Sequence, residues 1–149
     1  MMNLKERLQE DLKAAMKGGD IARRDAIRLI ASAIKQEEID AQKTLTEEEV
    51  IALLMREAKK RRDSIEEAQR LGRTETAAKE QFELSVIEAY LPQQLSREEL
   101  EAEIRRAIEE VGAKSAKEMG NVMKVLMPRV KGRADGKLVN EMLKTILSN

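Results

Sequence analysis

The chain has 149 residues, 38% of them charged, and its 28 Lys and Arg are balanced by 28 Asp and Glu to a formal net charge of zero. It contains neither cysteine nor histidine, which excludes disulfides, thiolate nucleophiles, cysteine zinc sites and the usual imidazole base. With aromatics at only 1%, the core must be built from Leu, Ile, Val, Met and Ala, a composition that favours helices over strands.

The first segment starts after Asn3, an N-cap residue, and places Leu4, Leu8, Leu12, Ala15 and Met16 on one helical stripe until Gly18 and Gly19 end it. Asp20 caps a second helix whose apolar residues Ile27, Ile30, Ala31 and Ile34 repeat at three and four, fading after Ile39. Thr46 and Glu49 form a capping box for a long helix carrying Val50, Leu54, Ala58, Ile65 and Ala68, closed at Leu71-Gly72. Thr74 starts a fourth helix, in which Phe82 and Tyr90, the only aromatics, sit at core-like positions, and Pro92 ends it. Ser96 with Glu99 makes a second capping box, followed by Leu100, Ile104, Ala107, Ile108 and Val111 and a left-handed stop at Gly112. Ser115 with Glu118 makes a third, ahead of the stripe Met119, Val122, Met123, Leu126, Met127 and Val130, whose last turn Pro128 should loosen. Asp135 caps a final helix with Leu138, Val139, Met142, Leu143, Ile146 and Leu147. No segment alternates at period two. The expected fold is all-α: a bundle of about four helices over 1–92, a break between Pro92 and Leu95, and a small three-helix domain over 96–149.

Charge balance is global but not local. Between residues 114 and 137 stand Lys114, Lys117, Lys124, Arg129, Lys131, Arg133 and Lys137 against only Glu118 and Asp135, a net +5. Such asymmetry points to an anionic partner, most simply a phosphate backbone, and the competing reading is a solvated helix face with a basic turn. Gly132 and Gly136 permit a tight loop with exposed N–H groups beside the start of the last helix, so Lys131, Arg133 and Lys137 could gather around one phosphate. A second basic cluster, Arg56, Lys59, Lys60, Arg61 and Arg62, is diluted by Glu57, Asp63, Glu66 and Glu67 and spread around its helix, which favours a solvated face. Base stacking on aromatic platforms is ruled out as a main mode, leaving recognition of backbone and shape.

The stretch VGAKSAKEMGNVMKVLMPRVKGRADGKLVN, together with Ala89-Tyr90-Leu91-Pro92 before it, resembles the signature of the GatB/YqeY family, and the flanking sequence resembles a stand-alone YqeY-like protein. The resemblance implies a C-terminal part similar to the tail domain of the B subunit of glutamine-dependent aminoacyl-tRNA amidotransferases, where that domain helps hold tRNA. Nothing in the chain resembles the amidotransferase's catalytic domains.

Three functions from different classes are therefore weighed. The first is binding of tRNA or another structured RNA, with Lys114, Lys117, Lys124, Arg129, Lys131, Gly132, Arg133, Gly136 and Lys137 as the candidate surface. The second is an adaptor docking on a protein through a methionine-rich helical face. The third, which rests on the resemblance alone, is an accessory part of a carbon–nitrogen ligase using glutamine as amido-nitrogen donor. No catalytic residue, metal or cofactor is expected, because Ser32-Ala33-Ile34-Lys35 lacks the companion motifs of Ser-x-x-Lys enzymes and Ser115 has a capping role. The N-terminus lacks an apolar signal core and nowhere do about 18 apolar residues run together, which gives the expectation of a cytoplasmic protein with no membrane partner.

Overall fold

Helix starts in this chain are fixed by short polar side chains that satisfy N–H groups the helix itself leaves unpaired. In the computed structural model, which describes residues 1–148, the Asn3 side chain accepts from the Glu6 N–H and opens α1 (Leu4–Lys17). Asp20 does the same for α2 (Ile21–Ala41), and the Thr46–Glu49 capping box opens α3 (Glu47–Arg70). The fourth helix, α4 (Thr74–Glu88), begins without a side-chain cap. The Ser96–Glu99 box opens α5 (Arg97–Val111), which stops at Gly112 with φ +75°, a conformation that disfavours any residue with a Cβ. Ser115 is followed by a single 3-10 turn, Ala116–Glu118, rather than by the helix itself; α6 runs Met119–Val130 and α7 Gly136–Ser148. The described residues are all-α, with no strand. Pro128 does not end α6, because the helix persists to Val130 and the Lys131 N–H donates to the Met127 carbonyl at 2.9 Å.

Contacts divide the chain into two compact units, one over Met1–Leu91 and one from Pro92 onward. In the first, α3 and α4 pack as a hairpin and α1 lies along α2. Their common core includes Leu8, Ile27, Ile30, Ile34, Val50, Leu54, Ala58, Leu84 and Ile87. Carboxylates tie its helix ends: Glu47 at the start of α3 accepts from the Leu4 N–H at 3.1 Å, and Glu38 accepts from Lys5 Nζ and from the Leu45 N–H, each at 2.8 Å. Tyr90 is buried, donates its hydroxyl to Asp11, and carries the Arg7 guanidinium 5.2 Å above its ring. Burial, then the Asp11 bond, pushes the phenol well above its ordinary pKa.

Three side chains, Phe82, Met16 and Arg61, depart from the sequence expectation. Phe82 is not a core residue but 36% exposed, because Leu84, Val86 and Ile87 already fill the inward side of α4. Met16 is 53% exposed, while its neighbour Ala15, 4% exposed, takes the inward position in the last turn of α1. Arg61, read as part of a solvated basic face, turns toward α4, with Glu80 and Glu83 each 3.5 Å away.

In the second unit, α5 packs on α6 and α7 against both, around Leu100, Ile104, Ala107, Val122, Leu126, Val130, Val139 and Leu143. Met119, Met123 and Met127 are half-buried against that core, so they are packing residues and not an exposed methionine face.

Candidate nucleic-acid interface

The loop between α6 and α7 is shaped from two sides. Gly132 adopts φ +77°, the left-handed conformation that glycine tolerates, whereas Gly136 is simply the first residue of α7 and not a second such turn. Residues 93–95 then lie against this turn. The Leu95 N–H donates to the Arg133 carbonyl at 2.8 Å, Gln94 Nε2 to the Gly132 carbonyl at 2.7 Å, and Arg133 Nε to the Gln93 carbonyl at 3.0 Å. Arg133 is thereby committed to the segment that leads into α5. Its charge is also among the lesser causes that hold Glu99 below the usual carboxylate range, after the Ser96 N–H and hydroxyl. The N-terminus of α7 has its own anion, since the Asp135 carboxylate accepts from the Lys137 N–H at 3.3 Å. Arg133 and the α7 terminus thus already have partners, and the lysines that face outward lie elsewhere.

Arg129 is committed as well: its Nη2 pairs with Glu110 on α5 at 2.6 Å. Its Nη1 is buried without a hydrogen-bond partner among the described residues.

The remaining cations divide differently. Lys114, Lys117, Lys124 and Lys137 are exposed and make no ion pair among the described residues, whereas Lys131 is exposed but engaged. Lys124 stands on the outer face of α6, opposite the buried Val122, Leu126 and Val130. The other exposed positions of that helix are Gly120, Asn121 and Pro128, all short or compact, and α6 contains no acidic residue. Lys117 is exposed in the 3-10 turn that leads directly into α6. Lys114 lies just before the 3-10 turn, which contacts α7, and Lys137 is in the first turn of α7. The result is a set of exposed ammonium groups without an ion pair among the described residues, while Glu118 and Asp135 beside them accept from backbone N–H groups of the turns.

The second basic cluster is largely neutralised. Arg56 reaches Glu37 at 2.8 Å, Lys60 reaches Glu57 at 3.1 Å and Arg61 faces Glu80 and Glu83. Among the described residues no group of three or more Asp or Glu is arranged to hold a metal ion, and no helix is long and apolar enough to cross a membrane. Sequence reasoning missed Gln93 and Gln94, whose part in shaping the loop rests on partners 38 and 40 residues away in the chain.

The family model described as Yqey-like protein matches residues 5–147. The chain belongs to the YqeY family. Among curated proteins it is similar to "Altered inheritance of mitochondria protein 41, mitochondrial" of Pyrenophora tritici-repentis, 30% identical over 95% of this chain and 79% of that one. The protein of the same name from Lachancea thermotolerans is 36% identical over 70% of this chain, and the match spans only 57% of the relative's length. The one from Vanderwaltozyma polyspora is 36% identical over 56% of this chain and 46% of that one. These relatives are named as mitochondrial proteins, which overturns the expectation of a cytoplasmic protein. That expectation rested on the lack of an apolar segment, which bears on membrane insertion and not on compartment.

Proposed function

We propose that the protein binds tRNA or a similarly structured RNA through the outer face of α6 and the adjoining turns. The observation that carries this reading is the set of exposed, unpaired lysines Lys114, Lys117, Lys124 and Lys137 beside a helix that has no acidic residue. Small neighbours at Gly120, Asn121 and Pro128 let a phosphate backbone approach the helix closely, and the lack of exposed aromatics there suits recognition of backbone and shape over base stacking. The resemblance of the 111–140 stretch to the tail domain of the amidotransferase B subunit makes tRNA the first RNA to test. Arg129 and Arg133 shape the surface and Lys114, Lys117, Lys124 and Lys137 carry it. The same resemblance is the sole support for an accessory role in amide transfer.

The experiment is a titration of labelled tRNA with the full chain across a salt series. The parent should bind with log K falling linearly as log salt rises. Changing Lys117, Lys124 and Lys137 together to Ala should reduce that slope by about two to three, at roughly 0.7–0.9 for each phosphate that is no longer neutralised. Changing Lys59 and Lys60 should leave it nearly unaltered. A parent that fails to bind at low salt, or a triple variant with the parent's slope, rejects the reading.

A further inference from the structure

The first unit carries an open groove of about 380 Å³ between α2 and α4 that RNA binding does not use. Its apolar floor includes Leu29, 50% exposed, and Phe82, 36% exposed, together with small residues of α2. The exposed third of the chain's only phenylalanine keeps apolar surface in water that a covered groove would bury.

Four charged residues stand around this floor, and their partners differ. Asp25 is held by Arg24 at 2.9 Å, and Glu83 faces Arg61 at 3.5 Å. Arg28, on α2, reaches only the Met16 sulfur at 4.0 Å, and Lys79, on α4, has no carboxylate partner among the described residues. Both carboxylates of the rim are thus neutralised from within the unit, while a cation on each side of the floor is not. The unmet charge is positive on both banks.

We propose that this groove docks an acidic amphipathic helix of a protein partner, with apolar side chains over Leu29 and Phe82 and carboxylates reaching Arg28 and Lys79. A small ligand fits poorly, because walls that are themselves half-exposed cannot enclose most of its surface. A helix laid in the groove needs no enclosure: residues one turn apart reach the floor and those beside them meet the banks. The apolar floor with two cations also differs in kind from the lysine-studded face of α6.

The test uses the full chain as bait in a display selection from a library of helical peptides randomised at surface positions, followed by affinity measurement on individual winners. Winners should carry apolar residues at three- and four-residue spacing flanked by Asp or Glu. Leu29→Ser with Phe82→Ser should weaken them at least tenfold with unchanged helical circular dichroism. Arg28→Glu with Lys79→Glu should weaken acidic winners and strengthen their lysine-flanked counterparts. The proposal is overturned if no peptide is enriched, if winners carry basic flanks, if either double variant binds as the parent does, or if the serine variant converts a dimer to a monomer. Binding of tRNA by these variants should match the parent, so failure here is distinguishable from failure of the RNA reading.

Discussion

Substituting Arg133 by Ala separates the two roles a basic loop residue can have. Its guanidinium donates Nε to the Gln93 carbonyl at 3.0 Å on a largely exposed edge, so the loss is about 1 kcal/mol, below the roughly 1.5–3 kcal/mol range of a buried charged bond. Gln94→Ala removes two bonds, to the Pro92 and Gly132 carbonyls, each 2.7 Å and the second partly buried, and should cost about 1–2 kcal/mol. Because both substitutions loosen the same packing of residues 93–95 on the turn, the double variant should fall short of the sum by about 0.5 kcal/mol or more. Neither aromatic residue lies in this unit, so the readout is hydrogen exchange at the Leu95 N–H, which donates to the Arg133 carbonyl, with thermal denaturation followed by circular dichroism. Exchange at Leu95 should accelerate in both variants, and tRNA affinity at fixed salt should fall less than in any single lysine variant of the α6 face. If Arg133→Ala leaves exchange and melting untouched but lowers the salt slope by about one, Arg133 is a phosphate ligand and the assignment of roles within the loop is reversed.

Glu49 is held down to a pKa of about 2 by Lys43 and by the Thr46 N–H, so its contribution is complete above the ordinary carboxylate value near 4.5 and is lost as pH falls toward 2; Glu49→Gln should flatten the acid limb of a stability-versus-pH curve in that window. Arg61→Ala leaves the 8%-exposed Glu83 without its cation and should destabilise the first unit by about 1–3 kcal/mol in urea denaturation, whereas Glu83→Gln in the Arg61→Ala background should recover part of that loss. Gly112→Ala, at φ +75° in open space, should cost about 1 kcal/mol through the backbone alone, while Gly120→Ala, in the first turn of α6 with nothing near its added Cβ, should stabilise by up to about 1 kcal/mol; equal effects in thermal melts would contradict the conformations assigned to these two residues.

Helix boundaries were legible because caps and stops act within three or four residues: Asn3, Asp20, Thr46–Glu49, Ser96–Glu99 and Gly112 each sit where the sequence places them. Facing was less legible in α4, where Phe82, Leu84, Val86 and Ile87 spread apolar groups around the axis and periodicity gives no single inward side. The charge excess at 114–137 was plain, but its division was not. Which cations are consumed depends on Glu110 for Arg129 and on the Gln93 carbonyl for Arg133, partners brought close only by tertiary packing. The same is true of Arg61, whose carboxylates lie on the next helix.

The central claim is that the outer face of α6 meets RNA, and an amide-resolved NMR titration of the full chain with unlabelled tRNA at low salt tests it most directly. Shifts should concentrate on residues 114–124 and on Lys137, fade on adding salt, and leave the α2–α4 groove undisturbed. Shifts centred on the Arg56–Arg62 stretch of α3, or none at any protein-to-tRNA ratio, would contradict it.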